Sequence, residues 1–149
     1  MENELKKAEM LAQLICTLTR NCNIKEEHFA SSFNLSPTEA KILMLFAFSP
    51  TLSVRELTGL LKLTPGRITQ IVSSLEKKKL LIRNADPNDK RNVIVSTSPK
   101  CQPFINNLNQ SYIDLHKQVL EKVDKEEQEK IFSSLKTLVD IFGSWVENK

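Results

Sequence analysis

Apolar residues recur with helical periodicity over most of this chain. In residues 64–78 they follow one another at spacings of three, one and three, which places them on a single stripe that would face a core. The residues of this stripe are Ile68, Ile71, Val72 and Leu75. Comparable stripes occur near both ends of the chain, so the pattern predicts a mainly helical protein.

Five of the predicted helices begin at residues that commonly cap helices. Ser36 and Ser53 are each followed three residues later by Glu, the spacing of a capping box, and Asp124 is followed by Glu in the same way. Thr64 and Ser98 each precede a proline, which is favoured at the first helical position. With an N-terminal helix added, the sequence predicts six helices, over residues 4–23, 36–48, 53–61, 64–78, 98–123 and 125–147.

Two short β-prone runs interrupt the helices between residues 80 and 97. The runs LLIRNA and NVIVST are joined by DPNDKR, whose Asp, Asn and Pro residues favour turns. The predicted order in this part of the chain is therefore helix, short turn, helix and a hairpin with a charged tip.

Composition indicates a globular protein that forms one domain, or a compact domain with extensions, since its 149 residues are 40% hydrophobic. No apolar run approaches the roughly 20 residues that a membrane span needs. The charged N-terminal segment does not have the form of a secretory signal. Three cysteines, an odd number without metal-type spacing, argue against a disulfide framework. We therefore expect a cytoplasmic protein with no membrane partner.

Positive charge is concentrated in the middle third of the chain. Residues 51–95 contain nine Lys and Arg but four Asp and Glu, a net charge of +5, whereas residues 1–50 and 96–149 each carry −1. Such an asymmetry indicates a polyanionic partner, although a charged segment can also be a solvated surface.

The polar face of the fourth predicted helix has the residue types that base edges require. Opposite the apolar stripe lie small hydrogen-bonding residues together with Arg, Gln and Lys, namely Gly66, Arg67, Thr69, Gln70, Ser73, Ser74 and Lys77. Surface helices are usually rich in Glu as well as Lys, whereas the first acid here is Glu76. We therefore predict that this face enters the major groove of double-stranded DNA, with an ordinary solvated surface as the alternative.

The charged hairpin is suited to act as a wing beside that helix. Lys90 and Arg91 at its tip can reach the flanking minor groove, where arginine is favoured, or the backbone. Asp89 would hold the Arg91 guanidinium in a fixed direction. The alternative is a charged turn that only keeps the edge strands soluble.

A long central segment resembles the winged helix-turn-helix of the MarR family of bacterial transcriptional regulators. It runs from LSPTEAKILMLF through SVRELTGLLKLTPGRITQIVSSLEKKKLLIRNADPNDKRNVIVSTS, and its most specific feature is the Asp-x-Arg of the wing at Asp89 and Arg91. The resemblance implies that Arg91 inserts at the wing tip. It also implies that bases or phosphates are approached by Thr64, Gly66, Arg67, Thr69, Gln70 and Ser74.

The resemblance covers essentially the whole chain and divides it into functional regions. It implies a single MarR-like chain over residues 1–149, with a DNA-binding region at 36–97 and dimerisation helices at 1–35 and 98–149. One residue departs from the family pattern, because Lys79 stands where the family typically has a glycine. Either the fourth helix ends differently, or a strain of about 1 kcal/mol is tolerated there.

Three apolar stripes near the chain ends predict a homodimer. In the last helix the spacings alternate between four and three, as in a coiled coil, through Ile131, Leu135, Leu138, Phe142 and Val146. Comparable stripes run along residues 5–22 and 104–123. A small winged domain cannot cover all three stripes, so we expect two copies of the chain to pair across a twofold axis. Their two recognition helices would then lie about 34 Å apart and would contact successive major grooves of a pseudo-palindromic site. Packing within one chain is the alternative.

The sequence offers two possible signals for this regulator, a small effector molecule and an oxidant. Members of the family bind small, often phenolic molecules between the dimerisation helices and the winged domain. This resemblance implies an aromatic effector in a cleft lined by Phe29, Phe33, Phe46 and Phe48, although these side chains can equally be core. Cys16 lies near the reactive cysteine of a peroxide-sensing branch, so a redox-responsive regulator is an alternative, and a buried apolar role is the plainer interpretation.

The remaining residues offer little other chemistry. His28 and His116 lack the neighbours that a zinc site needs, so we predict no metal. No catalytic constellation or phosphate-binding glycine loop occurs, so we predict neither an enzyme nor a cofactor. The sequence thus predicts a dimeric transcriptional regulator, with repression the favoured direction, that a small effector releases from DNA. A winged-helix module that binds proteins and not DNA is the competing class.

Overall fold

The structure, a computed structural model, describes residues 1–149 as six helices and three short strands. In chain order these are α1 (Glu2–Ser32), α2 (Pro37–Leu45), β1 (Thr51–Ser53), α3 (Val54–Leu61), α4 (Pro65–Lys77), β2 (Leu81–Ala85), β3 (Val93–Thr97), α5 (Cys101–Leu120) and α6 (Lys125–Glu147). The predicted mainly helical winged fold with six helices is confirmed. The chain forms two compact units, Met1–Asn109 and Gln110–Lys149.

Side-chain caps set most helix starts as the sequence predicts. Ser36 and Ser53 each accept a hydrogen bond from the backbone N–H three residues on, and the Glu at that position bonds back to the serine N–H. Thr64 and Asp124 likewise accept from the residue three positions later. The starts of α2, α3, α4 and α6 are therefore fixed by local hydrogen bonds.

The predicted cap at Ser98 is wrong. α5 begins at Cys101, and the Ser98 hydroxyl donates to the Lys79 carbonyl oxygen at 2.7 Å. The reason lies in the sheet, because the pairing of Leu81 with Thr97 brings the end of the hairpin back to the turn after α4. The hydroxyl thus satisfies a carbonyl that the sequence places 19 residues away.

Three helices are followed by a residue in the left-handed conformation. Asn34 after α1 has a φ of 57°, Lys62 after α3 a φ of 54°, and Lys79 after α4 a φ of 63°. At the last of these, the Lys79 N–H donates to the Glu76 carbonyl and the Leu80 N–H to the Leu75 carbonyl, at 2.8 and 3.0 Å. This pair of bonds is the usual closure of a helix at glycine.

The three strands form one antiparallel sheet in the order β1-β3-β2. The hairpin of β2 and β3 was predicted, and Arg83 on β2 lies opposite Val95 on β3. The strand β1 was not predicted, and it pairs Leu52 with Val95 on the other edge of β3. This pairing ties the start of α3 to the base of the wing.

The core lies within the first unit and includes the predicted stripe of α4. Ile68, Ile71, Val72 and Leu75 are all buried, as the spacing predicts. They lie in the same core as Leu43 and Phe46 from the region of α2, Leu57 of α3, Val95 of β3 and Ile105 and Leu108 of α5. The opposite face of α4 is therefore turned outward.

Large apolar side chains remain exposed on the terminal helices. On α1 they are Leu5, Met10, Leu11, Leu14, Leu18 and Ile24. On α6 they are Ile131, Phe132, Leu135, Val139, Ile141, Phe142, Trp145 and Val146. No helix combines the length and apolarity needed to cross a membrane.

Candidate nucleic-acid interface

The outward face of α4 presents most of the residues predicted to contact DNA. Thr64, Gly66, Arg67, Thr69 and Gln70 are all exposed. Arg67 Nη1 lies 3.4 Å from Gln70 Oε1, so these two side chains interact one helical turn apart. Because both are long and hydrogen-bonding, this pair projects donors and acceptors from the exposed face.

The first turn of α4 adds a partial positive charge to that face. Thr64 Oγ1 accepts from the Arg67 N–H, and no acidic residue occupies the first turn. Free backbone N–H groups at a helix N-terminus attract anions. An anionic partner would therefore meet no repulsion at this end of the helix.

Ser74 does not belong to the exposed face, and its predicted contact with DNA is not supported by its position. Its hydroxyl donates to Glu39 Oε2 at 3.1 Å, and the side chain is half-buried. The prediction rested on the helical spacing of Ser74 with Arg67 and Gln70. The C-terminal half of α4 packs near α2, however, so the same side of the helix turns from solvent to protein.

Glu39 is the buried centre of a polar cluster that we call the Glu39 network, formed with Ser36, Ser74, Lys78 and Asn34, which are half-buried or exposed. Its side chain is 8% exposed, and Lys78 Nζ lies 3.1 Å from Oε2. Lys78 also donates to the Asn34 carbonyl at 2.7 Å. Burial alone would raise the pKa of Glu39, but hydrogen bonds from Ser36, Lys78 and Ser74 outweigh it and hold the pKa below its ordinary value.

The wing turn is organised by two aspartates. Asp86 accepts hydrogen bonds from the Asn88 N–H and the Asn92 side-chain amide, at 2.9 and 3.3 Å. Asp89 accepts from the Arg91 backbone N–H at 3.0 Å. The predicted contact of Asp89 with the Arg91 guanidinium is absent, because the short carboxylate side chain closes the turn on the backbone first. The guanidinium is exposed and unpaired.

A cleft lies between α3, α4 and the wing, and we call it the arginine cleft. Its volume is about 340 Å³, and its lining includes Arg55, Thr58, Pro65, Thr69, Arg91 and Asn92. Arg55 was not among the predicted DNA contacts. A usable signal was present, because no acid stands three or four residues from Arg55 on either side.

Acids of the same region are occupied by other groups. Glu56 closes the cap of α3, and Glu76 Oε1 lies 2.6 Å from Arg83 Nε. The two wing aspartates bond to backbone and amide groups of their own turn. Neither Arg55 nor Arg91 therefore has a carboxylate within 4 Å.

The four phenylalanines predicted for an effector cleft have different environments. Phe29 and Phe46 are buried in the core, and Phe48 is 90% exposed in the turn after α2. Phe33 is half-buried, and its ring centroid lies 5.9 Å from that of Phe104 in an edge-on arrangement. Phenylalanine spacing alone could not separate core positions from a cleft.

Phe33 and Phe104 do line a cavity, which we call the aromatic cleft. Its volume is about 400 Å³, and its lining includes Phe33, Asn34, Lys78, Leu80, Lys100 and Phe104. Two aromatic rings and two ammonium groups are a combination that suits a small aromatic anion.

The cysteines and histidines form no metal-binding group. Cys16 is exposed on α1, and His28 is exposed on the same helix. His116 Nδ1 lies 2.8 Å from the Tyr112 carbonyl oxygen. Burial raises the pKa of the Cys101 thiol to about 11, against a smaller lowering by Lys100. No three His, Cys, Asp or Glu side chains come together as metal ligands would.

Comparison with known proteins relates this fold and surface to one family. Residues 35–93 match the model of the MarR family. The HTH-type transcriptional regulator YcgE of Bacillus subtilis is 28% identical over 149 residues, which cover 97% of this chain and 93% of that protein. The curated relatives are described as transcriptional regulators and not as enzymes.

Solved structures share the fold at lower identity. Streptococcus pneumoniae FabT, crystallised with DNA, has a TM-score of 0.79 at 16% identity, covering 93% of this chain and 99% of that one. A mutant of E. coli MarR in complex with operator DNA has a TM-score of 0.71 at 22% identity, covering 87% and 93%. The winged helix and the match over residues 35–93 together support a MarR-family regulator.

Proposed function

We propose that this protein is a sequence-specific DNA-binding transcriptional regulator that represses as a homodimer and is released by a small aromatic effector. The observation that carries the proposal is the exposed, acid-free face of α4 beside a wing whose arginine has no ion-pair partner. Such a surface attracts a polyanion and offers hydrogen-bonding groups to base edges. The solved structures of FabT and of the E. coli MarR mutant contain DNA, which supports the same partner here.

The predicted DNA-contacting residues other than Ser74 have three tasks in this proposal. Arg67 and Gln70, in contact on the exposed face, read base edges in the major groove. Thr64, Gly66 and Thr69 are short residues near the start of α4 that let backbone and hydroxyl groups approach the DNA. Lys90 and Arg91 engage the backbone or the minor groove from the wing, with Asp89 fixing the turn that carries them.

A homodimer accounts for the exposed apolar side chains of the terminal helices. Monomeric proteins rarely leave contiguous apolar surface of this kind in water. Both α1 and α6 carry such residues along their length. A twofold axis would bury them and would present two copies of α4 to successive major grooves of a pseudo-palindromic operator.

The aromatic cleft is the proposed effector site, with Phe33 and Phe104 holding a ring and Lys100 an acidic group. Lys78 in the same lining also bonds to Glu39. An anion in the aromatic cleft would therefore compete with Glu39 for the Lys78 ammonium group. Titration of the protein–operator complex with salicylate and with neutral phenol tests this role. Release by neither compound would refute the small aromatic effector.

The DNA-binding proposal is tested by selecting fragments with the purified protein and sequencing them. We expect symmetric sites, and binding that weakens steeply as salt rises, since phosphate contacts release counterions. Arg91→Ala should weaken binding to all duplexes, whereas Arg67→Ala or Gln70→Ala should change which sites are preferred. Unchanged operator affinity in all three variants would show that these surfaces do not bind DNA.

Two alternatives remain distinguishable in the same experiments. A winged-helix module that binds proteins would show weak DNA affinity at every salt concentration. A redox-responsive regulator would release its operator on peroxide treatment, and Cys16→Ser would abolish that release. Cys16 is exposed on α1, so peroxide can reach its thiol, as this second alternative requires.

A further inference from the structure

The arginine cleft lies between the two elements that are proposed to bind DNA, and Arg55 in its lining has no part in the proposed function. One wall comes from α3 with Arg55 and Thr58, and another from α4 with Pro65 and Thr69. The wing contributes Arg91 and Asn92. The cleft thus separates the helix proposed to enter the major groove from the wing proposed to reach the minor groove.

The geometry of duplex DNA determines what must cross this gap. A major groove and its neighbouring minor groove are divided by one sugar-phosphate strand. If α4 occupies the first and the wing tip reaches the second, the dividing strand passes over the arginine cleft. Its phosphates are then the groups nearest to Arg55 and Arg91.

Charge in and around the cleft suits a phosphate. Arg55 and Arg91 have no carboxylate within 4 Å, so neither cation is neutralised in the free protein. The first turn of α4, which reaches the cleft at Pro65, carries no acid. Thr58 and Thr69 now donate to carbonyls of their own helices, at 2.8 and 2.9 Å, and their hydroxyl hydrogens can turn toward an oxygen anion.

We propose that the arginine cleft binds a backbone phosphate of the strand dividing the two grooves, with Arg55 and Arg91 as its cations. The inference rests on the proposed DNA-binding function and adds a contact from α3. Arg55 supplies affinity without sequence preference, because a phosphate is the same at every step. Arg91 is thereby assigned to the backbone side of the wing, and Lys90 is left at the outer tip.

The test compares Arg55→Ala with the full-length wild type on an operator recovered by selection and on an unrelated duplex. We expect both affinities to fall by the same factor, and the slope of log affinity against log salt to decrease by about 0.9 for each protomer bound. Between 50 and 200 mM salt, the variant should therefore lose affinity by a factor that is about three to four times smaller than the wild type's, for each contact removed. Arg55→Lys should retain most of the slope.

Lys41→Ala is the matched control, since it removes one positive charge from an exposed position of α2 outside the cleft. We expect it to leave the salt slope unchanged. Thermal unfolding of each variant, measured without DNA, separates loss of a contact from loss of fold.

A second measurement locates the phosphate. In a series of operator duplexes, each carries one neutral methylphosphonate at a different position. At one position we expect the substitution to weaken binding of the wild type, compared with the unmodified duplex, and to change binding of Arg55→Ala little. Additive losses at every position, or a wild-type salt slope in folded Arg55→Ala, would overturn the cleft assignment while the wild type still binds DNA. A wild type that binds no duplex in a salt-dependent way would instead overturn the proposed function itself.

Discussion

Lys79 adopts a backbone conformation that glycine usually occupies. The sequence left two outcomes open at this position, and the structure shows the second, in which the helix closes as it would at glycine. Two backbone hydrogen bonds and the burial of Leu80 fix the turn, so the conformation is imposed by its surroundings. The backbone strain at Lys79 does not disturb packing, because the lysine side chain is exposed.

Replacing Lys79 by glycine should therefore stabilise the protein. We expect Lys79→Gly to raise the free energy of unfolding by about 0.5–1 kcal/mol, since glycine has no Cβ to crowd the backbone in this region. Urea denaturation at a fixed protein concentration measures the change. Lys79→Ala removes the same charge but keeps a Cβ, and a glycine variant no more stable than the alanine variant would contradict the argument.

Glu39 joins three helices that local sequence signals treat separately. Its carboxylate caps α2 through Ser36, accepts from Ser74 of α4 and faces Lys78, which in turn holds the carbonyl of Asn34 after α1. A nearly buried carboxylate with several donors stabilises a structure only while its charge and partners are kept. The network therefore couples the placement of α4 to the end of α1.

Glu39→Gln should destabilise the protein by about 1–3 kcal/mol at neutral pH, because Lys78 loses its anionic partner and one acceptor becomes a donor. The pKa of Glu39 is lowered on folding, so the carboxylate stabilises the protein fully above its unfolded value of 4.5. This contribution is lost as pH falls through the lower folded value. The stability difference between wild type and variant, measured by urea denaturation from pH 7 to pH 3, should shrink in that range.

Lys78→Met provides the matched comparison for the same network. Removing both partners together should cost less than the sum of the single changes, because neither group is then left unpaired. Losses that add up would show that Glu39 and Lys78 act independently. A stability difference that stays constant down to pH 3 would refute the role given to the Glu39 charge.

Local signals predicted four helix starts, whereas α1 runs to Ser32 beyond its predicted end at residue 23 and α5 begins three residues after the predicted cap. Long-range contacts explain the missed strand and the wrong cap at Ser98. Capping residues fixed the starts of α2, α3, α4 and α6 because each cap bonds within three residues. The strand β1 has three residues and exists only as a partner of β3, so no local pattern could indicate it. The hydrogen bond of Ser74 to Glu39 spans 35 residues, so local spacing could not reveal it, and the contact of Ser74 with DNA stays a prediction.

Parts of the candidate interface could also be predicted, and others could not. The apolar stripe of α4 predicted which face is buried, and therefore that Arg67 and Gln70 are exposed. The arginine cleft could not be predicted, because Arg55 and Arg91 come together only when β1 and β3 bring α3 beside the wing. The carboxylate of Asp89 closes its turn on the backbone, which charge pattern alone did not reveal.

The full chain leaves more apolar surface in water than a stable monomer should. In α6 no residue is fully buried, and on α1 burial is confined to Phe29 and Ala30 near the end of the helix. The first unit has its own core, and none of these exposed apolar side chains of α1 and α6 is part of it. We therefore expect the terminal helices to depend on a second copy of the chain.

Charges placed on the apolar stripe of α6 should separate that dimer. We expect the double variant Leu135→Glu and Phe142→Glu to sediment as a monomer where the wild type is a dimer, because both side chains would be buried at the interface. Affinity for an operator with two half-sites should then fall far more than affinity for one half-site, since the two recognition helices no longer bind as a unit. Lys136→Glu changes the charge of the same helix without removing an apolar side chain, and it should leave the dimer intact. A wild type that sediments as a monomer at micromolar concentration, or a double variant that remains dimeric, would rule out α6 as the dimer interface.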